Sequence, residues 1–493
     1  MKSENWKWHE NDKDTGLFQA LCKQLHLNLM SDENLSDEIC TLCHVLNLVH
    51  TSLVASSQNF FENLGSSLLT SLSQVINRHD PHSSPESLLQ DVSSILLNCS
   101  RGPPPTREKM VNFDGLLSNL LGLLNGSWKL DDVRINAMGT ISNMIMNSSS
   151  MQKIAAFPNM LSSVMEVLNL ESGKLKLFAV VFIVNLSNSP SCVNLILDNE
   201  KLMKPIGMLF GTDSIEMHKL SLRVFENILK KPDQEIMLEK YALEYILIMI
   251  KGTSPGINET NKEIILRASK LLLKLAKTAS VVVFVSKNGA MEIISNLAIY
   301  SSGHEEIQKN AISILRCSTL AMKSSSDTNF HELIFSLMKL LSSNVCKDDV
   351  LWLLFLQAAK SSETQLALSS MDGFVDFIIK ALVENETGEQ YRVLAAGILL
   401  NLSSTRECHH FFIQDENKLS TIIKAAAKDK DKSPDPEVRV LLIRAMINLA
   451  LNKSNKKILA NSSEFLPFLA TATTPRKEAY VGARDAIYVL LED

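Results

Sequence analysis

The chain is poor in several things that a protein of 493 residues often has, and each shortage closes off a class of answers. Aromatic residues make up only 6% of it. That argues against a sheet-built fold, because strands favour aromatic and β-branched side chains. No apolar run approaches the roughly 18–20 residues that a membrane helix needs; the longest, such as 177–184 and 281–285, stop far short. There is no basic excess: the formal net charge is −5 and the pI about 6.2. A chain that grips phosphate backbones over a large surface carries a clear positive surplus, so nucleic acid is not expected as a partner. The opening residues, MKSENWKWHENDKD, lack the apolar core of a signal peptide. Lys2 stands where N-myristoylation requires glycine, and the closing LLED offers no cysteine for prenylation. The eight cysteines are scattered, which is no disulfide framework and fits a reducing compartment. Glycines are scattered too, so no phosphate-cradling loop appears, and nothing anchors a Ser/His/Asp grouping. The expectation is a cytoplasmic and/or nuclear protein with no catalytic residue, cofactor, metal, small-molecule substrate or membrane insertion.

What is present points to a repeat array. A single core stops growing near ~250–300 residues, so 493 residues imply several domains or an elongated array. Hydrophobic residues are 45% and charged residues 21%, ordinary for a folded chain. One pattern recurs: a small or apolar residue, three positions, an apolar residue, one position, Asn, apolar, small. It reads AMGTISNMI around Asn143, AVVFIVNLS around Asn185 and AAGILLNLSS around Asn401. Looser copies surround Asn47, Asn98, Asn227 and Asn448. The frame continues where Asn is replaced, with Lys274 and Cys317, then Gln357 or Ala358 in LWLLFLQAA, and Val489 near the end. With Ala358 in that slot, successive steps run from 41 to 51 residues. Asn185-Leu-Ser and Asn401-Leu-Ser read as glycosylation sequons, but the repeat motif explains them better.

Apolar residues before each slot follow helical spacing with one face buried. A second amphipathic segment precedes each pattern, as in PNMLSSVMEVL, MEIISNLAI, FVDFIIKALV and LSTIIKAAAK. Before several of those comes a short helix and a turn, with Gly289 and Gly373 placed to supply left-handed geometry. Each unit thus reads as short helix, turn, helix, loop, long helix. In this the sequence resembles the armadillo repeat family, from about residue 17 to the C-terminus, with HEAT repeats as close neighbours. The resemblance implies an all-α, right-handed superhelical α-solenoid of about eleven three-helix repeats, whose third helices line a concave groove. Residues 1–16 read as a flexible polar tail, and 101–106, 77–86 and 428–437 as linkers, the last containing Ser433-Pro434, a candidate modification site.

Two motifs suggest chemistry. Cys40-Thr-Leu-Cys43-His44 matches the c-type haem attachment pattern, and with Cys22 and His26 nearby it is also the best zinc candidate. It falls inside the first long helix, in frame with Asn47, where helix packing is the simpler reading. His409-His410 falls in a short helix where Phe411 and Phe412 pack.

The remaining candidates are groove residues. In armadillo proteins that bind extended peptides, the third-helix Asn bonds the ligand backbone; a side-chain amide offers both donor and acceptor to an unpaired chain. The resemblance therefore makes Asn143, Asn185, Asn227, Asn401 and Asn448 partner-binding candidates. The same Asn could instead bond the neighbouring repeat and stabilise stacking. Importin-like grooves carry Trp four residues before the Asn; the corresponding positions, from Cys43, Ser94 and Gly139 through Leu354 to Asp485, hold none. The centre of the array looks basic. Arg267, Lys270 and Lys274 lie on one helical stripe, with Arg223 one unit before and Arg316 one unit after, beside the stripe. That pattern resembles β-catenin-like grooves and implies an extended, acidic protein segment as partner. A structural subunit of a larger complex, using its outer faces, is the alternative; an importin-like cargo adaptor is a third.

Overall fold

The computed structural model describes residues 13–31, 36–56, 66–79, 85–126, 131–145, 148–170, 173–212, 214–230, 242–277, 289–322, 330–343, 345–383, 389–427, 436–472 and 480–491. Among these residues every regular element is a helix. The chain divides into two compact units, Met1–Ile246 and Leu247–Asp493.

The repeat is legible helix by helix. In the first unit one repeat runs Pro104–Asn112, Leu116–Asn125 and Asp131–Met144, and the next Ser148–Ala155, Met160–Leu168 and Gly173–Ser187. In the second unit another runs Ser362–Ser370, Phe374–Val383 and Glu389–Ser403. Local chemistry sets the boundaries. Pro104 and Pro190 open first helices, where a missing N–H costs nothing. The proline run 103–105 thus begins a helix as well as separating two repeats. The turn into the second helix is left-handed at Gly115, Gly289 and Gly373, with φ between +72° and +82°, and at Asn159 with φ 63°. Third helices carry acids in their first turn, among them Asp131 and Asp132, Glu305 and Glu306, and Asp348 and Asp349. Carboxylates there meet the positive end of the helix dipole.

Within each unit, like packs on like. Third helices follow one another in contact: Asp37–Ser56, Glu86–Ser100, Asp131–Met144, Gly173–Ser187 and Ile215–Ile228 in the first unit. In the second they are Lys262–Ala276, Glu305–Ala321, Lys347–Ala358, Glu389–Ser403, Pro436–Leu451 and Tyr480–Leu491. Second helices touch second helices and first helices touch first helices in the same way. This is the three-helix, armadillo-type solenoid arrangement, in which each repeat buries its apolar faces against its neighbours. The helix Lys262–Ala276 shows the pattern: Ile264, Ile265, Ala268, Leu271, Leu272 and Leu275 are all buried.

Two boundaries differ from the sequence reading. The first helix begins at Lys13, ahead of residue 17; residues 1–12 lie outside the described residues. The slot in LWLLFLQAA is neither Gln357 nor Ala358 but Leu356. From Asn98 to Asn448 the other slot residues are each followed by two buried ones, as Asn185 is by Leu186 and Ser187. Here the buried pair is Gln357 and Ala358, and Leu356 is half-exposed. A close approach fixes the same register. A Cβ on Gly139, four before Asn143, would meet Leu97 Cδ1 at 2.8 Å, the residue one before the preceding slot. A Cβ on Gly397, four before Asn401, would meet Phe355 at 2.9 Å, which is one before Leu356. The segment 428–435, with Ser433, lies outside the described residues, as do 80–84 of the 77–86 linker.

Candidate functional site

The recurring Asn is joined to a serine that the sequence reading absorbed into the motif. Asn143 Nδ2 donates to Ser100 Oγ at 3.0 Å, Asn227 Nδ2 to Ser187 Oγ at 2.9 Å and Asn448 Nδ2 to Ser403 Oγ at 3.1 Å. Each serine stands two residues after the preceding slot. Each passes its own proton to a carbonyl three residues back: Ser100 to Leu97, Ser187 to Val184 and Ser403 to Leu400, at 2.6–2.8 Å. Amide, hydroxyl and carbonyl form a relay that fastens one third helix to the next. Such chained bonds polarise one another.

A second relay lies seven residues before the slot. Asn136 donates to Ser93 and Asn310 to Ser269, at 3.1 and 3.0 Å, and those serines donate to Gln90 O and Leu266 O. This relay was not anticipated from the sequence. Its signal, Asn in one repeat and Ser two positions further along the next older frame, becomes visible only with the register known.

At two slots the serine is missing and the amide is left over. The position two after Asn143 is Ile145, and the half-exposed Asn185 side chain makes no hydrogen bond with any described residue. The position two after Leu356 is Ala358, and Asn401 Nδ2 is buried with no hydrogen-bond partner among the described residues. Asn227 is the opposite case: its Nδ2 also reaches Asn188 Oδ1 at 2.9 Å, and its Oδ1 accepts from Lys230 Nζ at 2.7 Å. In the first unit, Asn143, Asn185 and Asn227 therefore sit on consecutive third helices but in different states. Arg223, on the helix of Asn227, is exposed.

In the second unit the third helix Lys262–Ala276 carries Arg267, half-buried, with Lys270 and Lys274 exposed. Lys270 Nζ pairs with Glu306 Oε1 of the next third helix at 2.6 Å. Both side chains are more than half exposed, and such pairs contribute about 0–1 kcal/mol. The corrected register also revises the tryptophan reading. Trp352, not Leu354, stands four residues before the slot, and the Arg316 guanidinium carbon lies 4.7 Å from the centre of its ring. Asn401 and Asn448 sit on the consecutive third helices Glu389–Ser403 and Pro436–Leu451.

The cysteine and histidine motifs serve packing. Cys43 is fully buried, and burial above all pushes its thiol up to about 12. Cys22 is pushed up to about 12 by the same cause, and Cys99 higher still. Thiolate is the metal ligand, so these environments disfavour it. His44 Nδ1 faces Asp91 Oδ2 at 3.1 Å, and Asn47 Nδ2 donates to Asp91 Oδ1 at 2.8 Å. Among the described residues no group of three or more His, Cys, Asp or Glu could hold a metal ion, and no helix is long and apolar enough to cross a membrane. His409 is buried between repeats: its Nε2 meets Ser403 O at 2.8 Å, while the amides of Asn452 and Asn455 meet Nδ1 at 3.0 and 2.8 Å. The carbonyl requires a proton on Nε2 and the amides a lone pair on Nδ1, so the ring is neutral. Burial, the largest cause, lowers its pKa. Phe412 is buried beside it, and Phe411 half-buried.

No family model matches the chain, and no curated protein matches it. Solved structures are similar to it at low identity. An engineered protein is 19% identical over 85% of this chain and 99% of its own, with a TM-score of 0.40. A designed armadillo repeat protein in complex with the peptide (KR)4 is 17% identical, over 61% of this chain and 99% of its own, with a TM-score of 0.38. A structure concerned with the interaction between cadherin and beta-catenin is 14% identical, over 96% of this chain and 98% of its own, with a TM-score of 0.36. The armadillo-type description rests on the chain's own repeat geometry.

Proposed function

We propose that the chain is a non-enzymatic protein-interaction scaffold that holds an extended, acidic partner segment along the faces of its third helices. The observation that carries this reading is the Asn185 amide, half-exposed and left without a serine acceptor between two rungs that have one. An amide so placed offers a donor and an acceptor to the backbone of an extended chain, which has both unmet. The acid preference is supported by the exposed cations of the third helices, Arg223 in the first unit and Lys270 and Lys274 in the second. Charges of this kind steer and select a partner more than they add affinity. The Lys270–Glu306 pair fits the same role, since an exposed pair is weak enough for an incoming carboxylate to replace Glu306.

The test is fluorescence anisotropy with labelled 15-residue peptides, one rich in Glu, one in Gln and one in Lys. The Glu peptide is expected to bind best, with an affinity that falls as salt rises. Asn185→Ala should weaken all peptides it touches alike, and Lys270→Glu with Lys274→Glu should weaken only the acidic one. Equal binding of the three peptides would sink the acidic reading. The structural-subunit alternative draws on apolar residues exposed outside the groove positions, Phe335 on a second helix and Tyr488 and Leu491 on the last helix. It predicts a co-purifying partner that survives all groove substitutions.

A further inference from the structure

The second unit carries one guanidinium that is held in place without being neutralised. Arg316, on the third helix Glu305–Ala321, is exposed, and its guanidinium lies over the ring of Trp352 on the next third helix, Lys347–Ala358. It makes no ion pair and no hydrogen bond with any described residue. Lys270, one repeat earlier, has Glu306; Arg316 has no carboxylate partner among the described residues. A guanidinium held over a ring by cation–π attraction still carries a rigid, planar fork of N–H donors matched to the two oxygens of a carboxylate. Stacking also removes rotamer freedom that a free arginine would lose on binding, so the fork is ready before a ligand arrives. The surroundings are apolar: Leu320, one turn along from Arg316, is exposed, and Trp352 and Leu356 are half-buried on the adjoining helix.

We propose that Arg316, held over the Trp352 ring, is the residue that selects a carboxylate side chain of the extended partner, next to a bulky apolar one received by Leu320 and Leu356. This rests on the acidic-segment reading and names the group that enforces it. The partner class is then an acidic segment punctuated by large apolar residues, rather than a polyacidic run. Lys270 and Lys274 supply long-range attraction; Arg316 supplies discrimination between Glu and its neutral isostere Gln. A polyanion attracted by field alone would not distinguish Arg from Lys at this position, whereas a planar bidentate grip does.

The experiment uses the full chain and two labelled peptides of 15 residues, repeated Ser-Glu-Leu and its twin with Gln for each Glu, measured by anisotropy. Wild type is expected to prefer the Glu peptide by about tenfold, the scale of one charge-assisted pair. Arg316→Lys keeps the charge and should reduce that preference by about threefold or more, and Trp352→Leu should do the same while Trp352→Phe retains it. Affinity for the Gln twin should stay unchanged in Arg316→Lys, and circular dichroism melting should match wild type, which a merely structural role for the stacked pair would not give. If Arg316→Lys and Arg316→Leu keep the full Glu-over-Gln preference while Lys270→Glu with Lys274→Glu removes it, the Arg316 assignment is overturned and the acidic groove stands. If wild type shows no preference for the Glu peptide, both fall.

Discussion

The first unit and the 262–358 stretch of the second tie their third helices together by different chemistry. In the first, two of the three slot amides from Asn143 to Asn227 end on serines, Asn143 on Ser100 and Asn227 on Ser187, with Asn136 on Ser93 beside them. In the second, the stretch from Lys262 to Ala358 replaces slot asparagines by Lys274, Cys317 and Leu356. There the third helices meet through Lys270–Glu306, Arg316–Trp352 and the Gln357 amide, whose Nε2 donates to Thr319 O at 2.7 Å, with the inner relay Asn310–Ser269 retained. The difference separates two jobs that one motif was expected to share. A neutral amide on a buried hydroxyl fastens repeats and leaves little for a ligand. Exposed charges and a stacked guanidinium fasten repeats weakly and leave much.

The comparison can be broken first at the close approaches common to both units. Gly139→Val and Gly397→Val push a branched side chain against Leu97 and Phe355, whose atoms already stand 2.8 and 2.9 Å from a Cβ. Each should cost about 1–3 kcal/mol, the usual penalty of overpacking, read as a lower melting temperature. Equal losses are expected in the two units; a loss in only one would mean that the shared register is mistaken.

A smaller effect separates occupied amides from unoccupied ones. Ser187→Ala removes the acceptor of a buried Asn227 amide and should destabilise by about 1 kcal/mol. Ala358→Ser supplies the acceptor that Asn401 Nδ2 lacks and should stabilise by about 0.5–1.5 kcal/mol, since Ala358 is fully buried and stands where Ser403 and Ser187 stand in their repeats. Denaturant midpoints measure both. Opposite signs support the relay; a loss from both would refute it.

His409 gives the second unit a pH dependence. Its pKa is lowered in the folded chain, chiefly by burial, so the unfolded chain binds the proton first. The stability it contributes is complete above the unfolded value, near 6.5, and declines as pH falls below that toward the folded value. Melting temperature should therefore drop between pH 7 and pH 5, and His409→Gln, which can donate to Ser403 O and accept from Asn455, should flatten that part of the curve. An unchanged slope in the variant would assign the acid sensitivity to other groups.

The smallest expected change is at the exposed pair. Glu306→Gln should alter stability by under about 1 kcal/mol, yet tighten binding of an acidic peptide by releasing Lys270. A stability loss well beyond that would make Lys270–Glu306 a structural bond and remove Lys270 from the groove.

Most of the fold was legible in the sequence, and the reason is periodicity. The Asn slots mark third helices, the segments PNMLSSVMEVL and FVDFIIKALV mark second helices, and Gly289 and Gly373 mark the turns between, all of which the structure places as read. The register failed once, in LWLLFLQAA, because residues 350–356 form an unbroken apolar run with no polar residue among them to pin its face. That two-residue slip hid Trp352 behind Leu354. The candidate site was legible only in part. Ser100, Ser187 and Ser403 were seen as motif, but their role needs a partner in the next repeat, 40–45 residues away. Glu306 was equally invisible as the neighbour of Lys270, since nothing local relates residues 36 apart.

The most direct test of the account is hydrogen–deuterium exchange of the full chain with and without the Ser-Glu-Leu peptide. The account predicts slowed exchange in the third helices Lys262–Ala276, Glu305–Ala321 and Lys347–Ala358, and no change in the second helices Ala290–Tyr300 and Phe330–Ser342. Protection confined to those second helices, or none at a peptide concentration that saturates anisotropy, would contradict it.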